Sequence, residues 1–284
     1  MSGSPFRHDN RNNIVDMLRP PSGFRVGSAI GTTYSLDFMT LTSVMLAFLD
    51  SELEENEKYN VPQQLFALTR LSKKLCLIVN RSGILFSGVK RSNRIFAIYD
   101  RMIREICLPK GSFHPKVWLL RYDPKGTPDN FGVKSVYRLV VSSRNITASS
   151  SWEMGVQLSS SQNRKRNAFS QSVAKYFDQI NSELSEPHEL IEEAASVLPS
   201  VEFEFPESVL DCSFAYQWPG ENQLLDSLPK SGNRATIVSP FLGKSFLKQM
   251  FARFQDVTLI SRRRELDEIL DLSLIHISEP TRPY

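Results

Sequence analysis

"GSFHPKVWLL", residues 111–120, reads as a β-strand, yet it carries His114 and Lys116 two positions apart. Side chains alternate between faces along a strand, so residues two apart point the same way, roughly 6.5 Å from one another. An apolar strand that aims an imidazole and an ammonium at one place raises the question of what they face. Pro115 lies between them and has no N–H to give to a ladder, so the strand is expected to be irregular or paired on one side at that point.

Downstream, "VYRLVVSS" (136–143) reads as a second strand, and the loop before it, "DPKGTPDN", consists of turn formers. "WEMGVQLS" (152–159) is a third apolar segment, and a helical stretch is expected around 167–196. Upstream, "FRVGSAIGTTYSLDF" (24–38) predicts a strand running into a Thr/Ser-rich turn. "MTLTSVMLAFLDSELEE" (39–55) predicts an amphipathic helix, and "VPQQLFALTRL" (61–71) another. "KLCLIVN" (74–80) predicts a strand and "RSNRIFAIYDRMIREICL" (91–108) a helix. This alternation predicts an α/β sandwich containing a mixed sheet.

A weak internal repeat runs through the chain. "RATIVSPFLGKSFLKQMFARF" (234–254) reads as strand, Ser/Pro/Gly turn and helix, as 24–50 does, and "DVTLISRRREL" (256–266) echoes "KLCLIVNRSGI" (74–84). His114 follows Ile78 by 36 residues, and the same distance from Ile260 falls near position 296, beyond the last residue. The expected organisation is a polar leader (1–22), a first repeat (23–200) and the truncated start of a second (201–271). Leu272–Arg282 matches the translation of a transposon-end sequencing adapter, so 272–284, with His276, is expected to be foreign to the fold.

The totals set looser bounds. A chain of 284 residues with 41% hydrophobic and 23% charged residues has the composition of a globular protein with ample core. A net charge of +3 does not by itself mark a nucleic-acid binder. Positive charge is nevertheless clustered in "NRKRN" (163–167), in "SRRR" (261–264), and at Lys73, Lys74, Arg81, Lys90, Arg91 and Arg94. Cys76, Cys107 and Cys212 have no metal-ligand spacing, and Cys76 and Cys107 lie in apolar runs suited to core thiols. With no apolar signal region in "MSGSPFRHDNRNN" and no segment long enough to span a bilayer, a reducing, cytoplasmic setting is expected. The "NIT" sequon at Asn145 then says nothing about glycosylation.

"HPK" on one strand, "VVSSRN" on the next and "SWEMGV" after it together resemble the phospholipase D superfamily. Its signature is H-x-K followed by a G-S-x-x-N element, often with an acidic residue shortly after. His114 and Lys116 match the first element, Ser142 and Asn145 the second, and Glu153 the acid. The resemblance covers roughly 24–160 as one repeat and 234–271 as the start of another. Arg121 stands where the full signature has Asp, with Asp123 two positions on, and Val141 replaces the Gly. Members lacking that Asp occur in the nuclease and tyrosyl-DNA phosphodiesterase branches, which makes a phospholipid substrate the less favoured one.

The resemblance implies a phosphodiesterase that needs no metal and no other cofactor. Neutral His114 would attack phosphorus through one ring nitrogen, giving a phosphohistidine. Glu153 is the candidate partner for the other nitrogen. Lys116 and Asn145, with Ser142, would hold the phosphoryl oxygens. Thr33 and Tyr34, at the end of the first strand, could line the cleft, and Thr32 with them, although a helix N-cap role competes. A second histidine would serve as general acid and then base. It would come from a second H-x-K motif in a missing C-terminal half or, less favoured, from a homodimer partner. Clustered Arg and Lys favour the nucleic-acid backbone as substrate. A phospholipid-acting transferase, a non-catalytic nucleic-acid-binding module and an inactive fragment are the competing readings. Ser143 and Ser149–Ser151 read as turn or cap residues, and Trp152 as core or a base platform.

Overall fold

The computed structural model describes residues 13–53, 61–85, 96–126, 134–148, 153–209, 212–219 and 223–270. His8, Lys90, Arg91, Arg94, Ser149–Ser151, Trp152 and the 272–284 tail lie outside the described residues. The chain divides into two units between Phe214 and Ala215.

In chain order the first unit contains α1 (Ile14–Leu18), β1 (Phe24–Thr33), β2 (Leu36–Asp37), α2 (Phe38–Glu52), α3 (Val61–Ser72), β3 (Leu75–Asn80) and β4 (Ile84–Leu85). It continues with α4 (Phe96–Asp100), β5 (Ile103–Ile106), β6 (Val117–Pro124), β7 (Val136–Ser142), β8 (Gly155–Arg164), α5 (Ala168–Glu183), α6 (Glu189–Val197) and β9 (Val201–Phe203). A seven-stranded mixed sheet has the order β5-β3-β1-β6-β7-β8-β9. β1 is parallel to β3, and β3 to β5, whereas β6 runs antiparallel to β1 and starts an antiparallel run out to β9.

β3 shows why the sheet lies inside. Leu75 through Val79 are all buried, with no alternation, as a strand covered on both faces requires. On one side Leu75, Leu77 and Val79 join Leu41, Val44, Met45 and Phe48 of α2 in one apolar cluster. Those α2 positions recur at helical spacing, so one stripe of the helix is spent on the sheet. On the other side α6 packs against β1 and β3, and the Tyr176 hydroxyl of α5 lies 3.3 Å from Thr32 Oγ1. Gly31 admits the Trp118 ring, whose carbons would stand 2.8–2.9 Å from a Cβ at that position.

Three expectations change. Residues 91–108 do not form one helix: α4 ends at Asp100, and Ile103–Ile106 pairs in parallel with Leu77–Asn80. A β-branched residue opposite an open sheet edge gains more from pairing than from continuing a helix. The predicted helix at 167–196 breaks into α5 and α6 at "LSEPH", where Pro187 precedes His188, the N-cap of α6. β9 pairs with β8, so residues 201–203 belong to the first unit's sheet, and that unit extends beyond 200 to Phe214.

The second unit contains α7 (Gln223–Ser227), β10 (Gly232–Val238), α8 (Lys244–Arg253), β11 (Phe254–Ile260) and α9 (Arg263–Leu270). β10 and β11 are parallel and are joined through α8. This is the βαβ arrangement that β1, α2, α3 and β3 make in the first unit. No described helix is long and apolar enough to cross a membrane.

Candidate active site

The strand expected at 111–120 begins at Val117, leaving His114, Pro115 and Lys116 in its irregular lead-in. Pro115 supplies the reason, and side chains replace the missing ladder bonds. Asn80 at the end of β3 accepts from the Phe113 backbone N–H at 2.9 Å. Thr32 accepts from the Val117 N–H at 2.9 Å and donates to the Val117 carbonyl at 3.2 Å. Phe113 is 1% exposed and anchors the segment inward, while His114 stays exposed.

Lys116 turns back on its neighbour. Its Nζ lies 2.6 Å from His114 Nδ1 and donates to the His114 carbonyl at 2.9 Å. An ammonium can only donate, so Nδ1 is the acceptor, and the neutral ring carries its proton on Nε2. Burial lowers the imidazole pKa and the Lys116 charge lowers it further, against an opposing effect of the His114 backbone hydrogen bond. Burial likewise pulls Lys116 down to about 8, opposed by the Glu153 charge. At neutral pH the pair is therefore a neutral imidazole beside a mostly protonated, poorly solvated ammonium.

Tyr34 covers the imidazole, with ring centroids 4.7 Å apart at 40°. Its backbone N–H also donates to Asn145 Oδ1 at 3.3 Å, and the Thr33 hydroxyl donates to the same oxygen at 3.3 Å. A backbone N–H can only donate, which fixes the carboxamide with Oδ1 toward β1 and leaves Nδ2 as its donor end. Asp37 secures the loop that bears Asn145. Its Oδ1 accepts from Thr40 N at 2.8 Å, capping α2, and its Oδ2 accepts from Ala148 N at 2.7 Å. Burial pushes the Asp37 carboxyl up, but hydrogen bonds from Thr40, Ala148 and Met39 outweigh it and hold the pKa below the usual value.

Glu153 accepts a hydrogen bond from the Ser143 hydroxyl, and Ser143 Oγ in turn accepts from Met154 N at 2.9 Å. Its influence on the site is its charge near Lys116; among the described residues its hydrogen bond goes to Ser143 and not to the imidazole nitrogen for which it was the candidate. Ser142 sits in the ladder, its N–H donating to the Lys116 carbonyl at 2.9 Å and its hydroxyl to the Arg144 carbonyl at 3.3 Å. The structure thus gathers His114, Lys116, Tyr34, Thr33 and Asn145 at one end of β1 and β6, with Ser142 and Glu153 on the adjoining β7–β8 turn. Thr32, Asn80, Asp37 and Ser143 support them, and of these Asn80 and Asp37 were missed by sequence reasoning because no motif singles them out. A hollow of about 190 Å³ bounded by Arg19, Phe24, Asp50 and Lys125 is lined by none of these groups. Among the described residues no cluster of three or more His, Cys, Asp or Glu is placed to hold a metal ion.

The architecture is a phospholipase D-like α/β fold. Among solved structures, a variant of yeast tyrosyl-DNA phosphodiesterase superimposes with a TM-score of 0.50 at 13% identity, covering 84% of this chain and 50% of that one. Another structure of the yeast enzyme gives 0.41 at 14% identity over 68% of this chain and 39% of that one. This chain thus spans half or less of the length of those enzymes. No protein-family model and no curated protein matches the sequence.

Proposed function

We propose that this chain carries one half-site of a phosphodiesterase that acts on a nucleic-acid backbone through His114. The observation that carries the reading is the 2.6 Å contact between a surface-accessible imidazole, kept neutral by burial and by its neighbour, and the depressed ammonium of Lys116. The fold shared with tyrosyl-DNA phosphodiesterase supports the same class of chemistry.

Lys116 covers the unprotonated ring nitrogen in the absence of substrate. A phosphodiester offers the ammonium full negative charge, which is a stronger partner than imidazole. Movement of Nζ onto a phosphoryl oxygen uncovers that nitrogen and stabilises the charge that develops on the phosphorus oxygens. The nitrogen lone pair then forms the P–N bond, and the bond from phosphorus to the leaving oxygen breaks. The leaving oxygen takes its proton from a second histidine, which would come from another H-x-K motif in a further segment or, less favoured, in a second copy. Asn145 Nδ2 donates to a phosphoryl oxygen, Tyr34 holds the imidazole plane, and Glu153 keeps Lys116 charged. Water attacking the phosphohistidine reverses the proton traffic.

The test is to incubate the chain with a nitrophenyl phosphodiester and with single-stranded DNA, quench in base, and search for a phosphate on the 111–120 peptide by mass spectrometry. The expected result is an acid-labile adduct on His114 that is missing in His114→Ala. Cleavage that is unchanged by His114→Ala, or no adduct and no cleavage with either substrate, would refute the proposal. Turnover of phosphatidylcholine but not DNA would refute its choice of nucleic acid.

A further inference from the structure

The second unit places an exposed aromatic ring where the loops after β10 and β11 meet. Phe241 follows β10 and is 66% exposed. Its position is nevertheless fixed: the Ser239 hydroxyl donates to the Phe241 carbonyl at 2.6 Å, and Phe241 N–H donates back to Ser239 Oγ at 3.3 Å. Ser239 N–H continues the ladder to the Ile260 carbonyl at 3.0 Å. Glu265 Oε2 accepts from Leu242 N at 3.1 Å, which ties the loop after β10 to α9. The guanidinium of Arg262, which follows β11, lies over the Phe241 ring, 4.9 Å from its centroid. A ring exposed this far and yet held by its own backbone is preorganised for a flat partner rather than left over from a loose loop.

The surrounding charge narrows the partner. Lys244, Arg262, Arg263 and Arg264 are all exposed at this end of β10 and β11. Arg263 and Arg264 make i,i+4 pairs with Asp267 and Glu268, leaving their side chains 92% and 87% exposed. Arg262 forms no ion pair among the described residues, and the one nearby carboxylate held inward, Glu265, is engaged by the loop backbone. An open π-face beside several cations matches the repeating chemistry of a single strand, in which a base alternates with a phosphate. An apolar protein partner would leave the arginines without use, and a double helix would hide the base faces that Phe241 could stack on.

We infer that Phe241 and Arg262 form a stacking platform for single-stranded nucleic acid, with Arg263, Arg264 and Lys244 tracking the adjoining phosphates. These residues belong to the second unit and His114 to the first, and the inference deepens the nucleic-acid part of the function proposed above, on which it rests. In the first unit the corresponding end of β1 also bears an aromatic side chain, Tyr34, packed against the imidazole. In the second unit the ring is left to a ligand.

The experiment measures fluorescence anisotropy of a labelled oligothymidylate with the full chain over a salt series. Phe241→Ala is expected to weaken binding by about 5- to 150-fold, the range for loss of one base–aromatic stack, and Phe241→Trp to preserve or tighten it. Arg262→Gln is expected to weaken binding, and Arg264→Gln to flatten the slope of log affinity against log salt by about 0.7, the value for one phosphate contact on a single strand. Because Phe241 and Arg262 are exposed, the two aromatic variants and Arg262→Gln are not expected to unfold, and circular dichroism checks each one. Affinity unchanged in both Phe241→Ala and Arg262→Gln overturns the inference. So does a change in oligomeric mass for Phe241→Ala with DNA affinity intact, which would assign the ring to contact between copies. His114→Ala separates the two proposals. Retained oligonucleotide binding with lost cleavage supports both. Cleavage indifferent to His114 with binding still dependent on Phe241 sinks only the catalytic one.

Discussion

Replacing Lys116 with Met should change stability in a way that depends on pH. Lys116 is 8% exposed, and burial lowers its pKa from 10.5 to about 8. Between those values the unfolded chain holds a proton on the amine that the folded chain has released, so the unfolded state binds more protons and stability rises with pH. Below about pH 8 both states are protonated, and the folded chain bears the full cost of a poorly solvated charge. Above 10.5 both are neutral and the cost is gone. The gap corresponds to at most about 3 kcal/mol at 1.36 kcal/mol per pH unit. Solvent screening at the open rim of the site reduces it to about 1–2 kcal/mol. Lys116→Met keeps the apolar stem and removes the titration. Urea unfolding of both proteins at pH 7 and pH 10 should show the wild type gaining about 1–2 kcal/mol relative to the variant. Constant offsets, such as the lost contacts with His114 and Glu153, cancel in that comparison. A difference that stays flat with pH, or moves the other way, would refute the argument that burial sets the charge state of this lysine.

Asp37→Ala should destabilise the first unit by about 2–4 kcal/mol at neutral pH, because it removes the α2 cap and orphans the Ala148 N–H. The carboxyl is held below its usual pKa, so its contribution is present above about pH 4 and is lost as pH falls through the lowered folded value; thermal melts of the pair should converge in acid. Cys76 is buried, with its thiol pushed up to about 12, whereas Cys107 is exposed. Iodoacetamide at pH 8 should therefore label Cys107 and spare Cys76 in native protein, as read by peptide mass mapping. Gly31→Ala drives a methyl into the Trp118 ring and should cost about 1–3 kcal/mol with a shifted tryptophan emission, since a packed ring can relieve the overlap only by leaving its rotamer.

Much of the sheet was legible because its strands have to be apolar on both faces. "LCLIV" has no alternation, and no other local structure of that length buries five successive side chains so economically. α2 was equally readable, since Leu41, Val44, Met45 and Phe48 recur at the helical period, although its cap, Asp37, was not foreseen. β5 was not, because "IREI" directly after the helix-favouring "RIFAIYDRM" carries too little local information. What makes it a strand is the free edge of β3, at Leu77 through Asn80, which is set by parts of the chain that precede it.

The site divides along the same line. The alternation rule placed His114 and Lys116 together for a reason that the structure alters. They meet because Lys116 folds back from an irregular segment, whose backbone is held by Thr32 and Asn80 from two other strands. Thr32 was readable only as a cleft or cap residue beside Thr33, and Asn80 could not be singled out, since an Asn at the end of a strand is ordinary. Asn145 was readable as a motif member and Tyr34 as a residue at the cleft, but their mutual hydrogen bond was not. The more general signal lies in what the site costs. A buried lysine beside a histidine, with its one carboxylate bonded to a serine, is an arrangement that folding stability alone would discard. The burial cost of the Lys116 charge is present at neutral pH and gone above about pH 10, and on the proposed function an arriving phosphodiester offsets it. Lys116→Met should therefore lose anion binding and, with it, the pH dependence of stability that the pattern "HPK" brings.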